Sequence, residues 1–118
     1  MSKIAAVLAI ILLNVSPAHS QGYLTGRDLV DRCASSRSWS EGVCVGYIIG
    51  AYDAYSVLAS RWGESLAPRK VSMDDLCGIV LRYLVDHRDE LDEPATALVL
   101  RAVLDRFPRR AAADAPKD

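Results

Sequence analysis

Between Thr25 and Phe107, apolar residues recur at helical spacing in four stretches, separated by short polar or Gly/Pro-containing segments. This pattern predicts amphipathic helices with short connections rather than strands. In the first stretch, Leu29, Val30 and Cys33 follow Thr25 and Asp28, which have the three-residue spacing of a capping box; the pattern fades near Ser35. The second runs from Ser40 or Glu41 to about Arg61, with Val43, Tyr47, Ala51, Ala54 and Leu58 as its apolar stripe, and Trp62-Gly63 ends it. Ser72 caps the third, and Asp74 and Asp75 occupy the first turn, where the helix dipole favours acids. Its buried stripe is Leu76, Ile79, Val80, Tyr83 and Leu84, and the charged run Asp86 to Glu90 closes it. Pro94 suits the first turn of the fourth, whose core residues are Leu98, Ala102, Val103 and Phe107, with Pro108 as the stop. The predicted fold class is all-α, a small compact bundle of about four helices.

Within the second helix, Gly46, Gly50 and Ala54 repeat every four residues and leave one face almost without side chains. Each mid-helix glycine costs about 1 kcal/mol of helix propensity, so the expected return is a close approach by another backbone. Tyr47 and Asp53 belong to the same segment. Asp53 is expected near the apolar face, either structurally paired with Arg82 or Arg101 or in contact with a partner.

Upstream of the helices the chain changes character. Lys3 is followed by the apolar run Ile4 to Leu13 and by Ala18-His19-Ser20, the layout of a secretory signal peptide covering residues 1–20. The alternative, an uncleaved anchor, conflicts with a run well short of the ~20 residues a span needs. The expectation is a periplasmic chain starting at Gln21, a helical domain over 21–108, a disordered tail over 109–118, and no membrane-crossing segment after cleavage. Removing residues 1–20 takes away Lys3 and no acid, leaving 13 of the 14 basic residues against 15 acidic ones. That balance argues against a nucleic-acid partner, which would require a basic stripe.

Export makes a disulfide permissible. Cys33 and Cys44 flank a turn-prone segment, so a bridge between them would join the end of one helix to the start of the next. Cys77 is left over and reads as a small buried hydrophobe, the other reading being a reactive or intermolecular thiol. His87 is the single histidine after residue 20, too few for a metal site of about four clustered ligands. Cys77 and His87 are ten residues apart, which on one straight helix separates them by about 15 Å along the axis. They cannot form a nucleophile pair there, and no acid–base pair or phosphate-binding loop is present in the sequence. The chain is predicted to be no enzyme and to carry no cofactor or metal.

Two tryptophans bracket the second helix. Trp39 and Trp62 each read as a lid over the core or as an interface anchor. The segment from Trp62 to Lys70 mixes an aromatic, Glu64, Pro68, Arg69 and Lys70, a composition suited to recognition. Trp62, Glu64, Arg69 and Lys70 are therefore the candidate partner-binding residues.

The order of motifs resembles the Rap/Tai immunity family. The carrying segments are Asp28-Leu29-Val30-Asp31-Arg32-Cys33 and Cys44-Val45-Gly46-Tyr47-Ile48-Ile49-Gly50-Ala51-Tyr52-Asp53-Ala54, then Val71-Ser72, Tyr83-Leu84-Val85-Asp86-His87 and Arg106-Phe107-Pro108. The resemblance covers about Thr25 to Pro108. It implies a helical, periplasmic, often dimeric protein that neutralises a peptidoglycan amidase effector of type VI secretion by inserting a loop or helix end into its cleft. Gly46, Tyr47, Gly50 and Asp53 fall in the family's most specific motif. Ala67 and Arg109 stand where the family usually has cysteines, and Arg88 where it tends to have proline. The two missing cysteines are those that would form a second bridge. A competing function is a periplasmic stress chaperone, in which the acid-rich segment Asp86 to Glu93 loses charge at low pH and loosens the bundle.

Overall fold

The computed structural model describes residues 22–65 and 70–111. The expected signal segment 1–20, Arg69, and residues 112–118 of the expected tail lie outside the described residues. Four helices form: α1 (Gly26–Ala34), α2 (Ser38–Arg61), α3 (Met73–Asp86) and α4 (Ala95–Arg106), with a 3₁₀ turn at Arg88–Glu90. Two short strands, β1 (Glu64–Ser65) and β2 (Arg110–Ala111), pair antiparallel, Glu64 opposite Ala111 and Ser65 opposite Arg110. The all-α expectation holds, with α2 beginning two residues earlier than read. The strand pair was not read from the sequence: Glu64–Ser65 fell in a loop and Arg110–Ala111 in the tail.

The capping signals are realised. Thr25 Oγ1 accepts from the Asp28 N–H at 3.2 Å, and Asp28 Oδ2 accepts from the Thr25 N–H at 2.9 Å, a reciprocal box that satisfies two donors at the start of α1. Ser72 does the same service for α3, accepting from the Asp75 N–H at 3.1 Å. At Asp28, the hydrogen bonds from the Thr25 backbone and side chain hold the carboxyl below its ordinary 3.8, with Arg32 adding to the effect. A depressed folded-state value means that this contribution is present above about pH 4 and is lost as pH falls through the lowered value. Thr25→Ala is expected to lower stability by the ~1 kcal/mol of a lost N-cap and to flatten the acid limb of a stability–pH curve, both read by urea denaturation between pH 2 and 5. A variant whose acid limb matches wild type would show that Asp28 does not titrate with folding.

A backbone knot joins the starts of α1 and α4. The Gly26 N–H donates to the Glu93 carbonyl and the Arg27 N–H to the Leu91 carbonyl, each at 2.9 Å, while the Ala95 N–H donates to the Leu24 carbonyl at 2.8 Å. The first N–H groups of a helix have no partner inside it, and here the 91–93 turn supplies acceptors to α1. Pro94 sits just before α4 as its N-cap and bridges to Thr25, leaving Ala95 as the first helical residue.

The core is a single cluster of Leu29, Cys44, Ile48, Leu76, Val80, Leu84, Leu91, Ala95, Leu98, Val99, Ala102 and Val103. The stripes predicted for α3 and α4 match it, with Ile79, Tyr83 and Phe107 half-buried at its margin. The stripe predicted for α2 matches only in part: Val43, Tyr47 and Ala51 are half-buried, the last two packed against the core. Ala54 and Leu58 are exposed, and the inward face carries Ser40, Cys44, Ile48 and Ala59, with Tyr52 and Tyr55 half-buried. The cause is that α2 is apolar on both sides, so spacing does not decide which side faces in. α2 is also long and apolar enough by length and composition to cross a membrane, with a mean hydropathy of 1.3 over its most apolar window. The sequence reading had no such segment after residue 20. A disulfide to α1 and core residues along one side place α2 among the packed helices of the bundle.

Candidate functional site

The segment following α2 carries the candidate contact residues. Trp62 ends the helix as its C-cap, with its N–H donating to the Ala59 carbonyl at 3.0 Å. Gly63 then adopts φ of 71°, a left-handed conformation that glycine reaches without steric cost and that turns the chain out of α2. The β1–β2 ladder follows at once, so the near end of the segment is fastened to the chain beyond α4. Arg109 Nη1 lies 3.5 Å from Glu64 Oε2 across the same junction. Residues 66–69 lie outside the described residues, and Lys70 is exposed at the far end.

Of the four predicted contact residues, Trp62, Glu64 and Lys70 lie among the described residues and Arg69 does not. Trp62 is 67% exposed, which removes the lid reading: it covers no core. Trp39, at 76% exposure, is no lid either. Both stand at the ends of α2, where the neighbouring helices are too few to surround an indole. Glu64 is half-buried in β1 and acts as an anchor through Arg109 rather than as a free acid. Lys70 borders a groove of about 630 Å³ between α3 and α4, along with Asp74, Arg82, Asp86, Asp105 and Phe107. Trp62 and Lys70 thus stand at the two ends of one anchored segment. Arg109 and Arg110 were missed as contributors. Their one sequence signal was a basic pair just after the Pro108 stop, able to reach an acid such as Glu64.

Of the motif residues, Tyr47 is half-buried and its hydroxyl shares a 2.7 Å hydrogen bond with Thr96 Oγ1, tying α2 to α4. Gly46 and Gly50 are exposed, and a Cβ built on either meets nothing within 4 Å. The expected close backbone approach therefore does not occur within the described chain. Asp53 is exposed as well, and the expected ion pair to Arg82 or Arg101 is absent among the described residues. Arg101 instead contacts Glu90 at 3.3 Å and Glu93 at 2.6 Å, which raises its pKa and keeps it charged. The reason is angular: Asp53 projects from the outer side of α2, away from α4.

The groups with chemical potential are used structurally. Cys33 and Cys44 are bonded, Cα to Cα 5.0 Å, linking α1 to α2. Cys77 is half-buried against the core, and burial followed by the nearby Asp74 pushes its thiol pKa up, the opposite of what a nucleophile needs. The His87 ring stacks on Tyr83 at 3.8 Å, and its Nδ1 lies 2.8 Å from the Tyr83 carbonyl oxygen at the end of α3. Tyr83 in turn donates to Glu90 at 3.2 Å, and burial, then the Glu90 charge, raises its pKa. No group of three or more potential metal ligands occurs among the described residues.

These features define a class: a small disulfide-stapled helical domain that presents an anchored aromatic segment, with its thiol and imidazole committed to packing. The family model of Rap1a immunity proteins matches residues 25–108, and the chain belongs to that family. No curated protein and no solved structure matches the chain.

Proposed function

We propose that this chain is a periplasmic immunity protein that binds a peptidoglycan amidase effector of type VI secretion and occludes its active-site cleft. Membership of an immunity family supports a toxin-binding role, and binding rather than catalysis accords with the fixed state of Cys77 and His87. The observation that carries the choice of surface is Trp62, two-thirds exposed on a segment whose base is fastened by β1 and β2. A large aromatic held on a braced segment loses little conformational freedom on insertion, which is why such residues dominate binding energies. Lys70 and Arg69 add positive charge at the far end of the same segment.

The test begins with the oxidised chain from residue 21, produced in the periplasm and used to capture proteins from cells that carry type VI systems. Recovery of an amidase, with loss of its wall-cleaving activity in the complex, is the expected result. Trp62→Ala with Arg69→Ala should then weaken affinity by about 100-fold, the effect of a truncated hot spot of ~2–3 kcal/mol, while helicity stays unchanged. An unchanged affinity would dismiss this surface.

A further inference from the structure

One flank of α3 lines the α3–α4 groove along nearly the whole helix. Asp74, Gly78, Arg82 and Asp86 recur there every four residues, while the last turn of α4 and Phe107 form the opposite wall. From Asp74 to Asp86 the helix rises about 18 Å, so the site is elongated. Its floor is apolar, because Ile79, Tyr83 and Phe107 are half-buried there. Its lips carry both signs of charge: Lys70, Arg82 and Arg106 stand with four aspartates.

Among the described residues, none of these charged groups is in an ion pair. Local geometry explains why. Gly78 removes the side chain that would stand between Asp74 and Arg82. Arg82 precedes Asp86 on the helix, the less favourable order for a pair four residues apart. Asp105 and Arg106 are adjacent in sequence and project in different directions. Arg106 is held instead over the Phe107 ring, its guanidinium carbon 5.2 Å from the ring centroid. A guanidinium stacked by its face keeps its N–H edges available to grip a carboxylate. Asp105 sets a negative charge beside the floor, close enough to add to the rise in the Tyr83 pKa.

The mixture of charges narrows the ligand. Four aspartates repel nucleic acid and anionic lipid, and three cations repel a polybasic segment. What fits is a molecule bearing carboxylates and an ammonium, with small apolar groups for the floor. A length of about 18 Å takes about five extended residues, and a volume of about 630 Å³ is ordinary for a small-molecule site. We propose that this groove binds a short zwitterionic peptide of the cell wall, its carboxylates on Arg106 and Arg82 and its ammonium on Asp105. Wall peptides combine carboxylates, a free amine and alanine methyl groups. The wall as source rests on the proposed periplasmic role, whereas the charge pattern stands on the lining residues alone. Lys70 both borders the groove and ends the candidate contact segment, so a bound wall peptide lies beside the effector surface.

The probe is a synthetic tetrapeptide of L-alanine, γ-linked D-glutamate, meso-diaminopimelate and D-alanine, titrated into the ¹⁵N-labelled oxidised chain from residue 21. Saturable amide shifts along α3 and the end of α4 are expected, with a dissociation constant of about 1 mM or below. Gly78→Leu should raise that constant at least about tenfold by filling the groove. Nothing lies within 4 Å of a Cβ built at Gly78, so this variant keeps the wild-type circular dichroism. Arg106→Gln, which removes the carboxylate clamp, should also weaken binding about tenfold. Gly50→Leu, at an equally open position on α2, should bind like wild type. An absence of shifts at several millimolar peptide would overturn the proposal, as would binding of wild-type strength in Gly78→Leu. Equal affinity for an all-L peptide of the same charges would overturn the wall as source. The titration contains no effector, so its failure is distinct from a failure of effector capture.

Discussion

Replacing Cys33 and Cys44 together by serine is expected to lower stability by about 3 kcal/mol, the chain-entropy value for a bridge closing a loop of this length. In a domain of this size that corresponds to a fall in Tm of about 10–20 °C. It is also a large share of the 5–15 kcal/mol that natural domains possess. The bridge matters because of what it holds. α1 has nine residues, too few to be stable alone, yet it delivers the fully buried Leu29 to the core. Its N-terminal end is held by the Leu91–Glu93 turn and its C-terminal end by Cys33, so the bridge closes the second of two attachments. Urea denaturation of the oxidised wild type, the double serine variant and Cys77→Ser would measure this. Cys77→Ser should lose much less, since its half-buried thiol closes no loop. A double-variant loss below about 1 kcal/mol would show that the backbone knot alone fixes α1.

What the sequence made legible divides by range. The caps at Thr25 and Ser72 are local chemistry between residues three apart, and the structure has both as read. The bridge was legible because a short turn-prone segment separates its cysteines. The facing of α2 was not, because a helix apolar on two sides satisfies the spacing rule in more than one rotation. The β1–β2 pair was illegible for another reason: two residues at each end carry no alternation, and the pairing depends on where α4 delivers Arg110. In the candidate site, the sequence left Trp62 as either a lid or an anchor, and its exposure followed only from the geometry at the end of α2. Asp53 was assigned a partner on the assumption that a carboxylate beside small residues lies near the core, whereas those small residues face outward.

The glycines show the same limit most sharply and yield the second large effect. Spacing drew attention to Gly46 and Gly50, but the glycine most closely approached within the described chain is Gly26. A Cβ there would collide with Leu98 Cδ1 and lie 3.1 Å from the Leu91 carbonyl oxygen and 3.2 Å from the Leu91 Cα. Two of those atoms are backbone and belong to the turn that accepts the Gly26 and Arg27 N–H groups. Making room would stretch those bonds and push Leu98 from a site where it is fully buried. Gly26→Ala is therefore expected to destabilise by about 2–3 kcal/mol, the upper part of the range for overpacking, despite alanine's better helix propensity. Gly46→Ala, in open space, should instead stabilise the fold by up to ~1 kcal/mol. The two substitutions are chemically identical and lie in neighbouring helices, so opposite signs in paired denaturation curves would isolate tertiary contact as the cause. Equal gains for both would mean that the start of α1 does not pack against Leu91 and Leu98 as described. The contrast also explains why the sequence pointed to the wrong glycine. Helical spacing registers a small-residue face, whereas the need at Gly26 is created by a backbone more than sixty residues further along the chain.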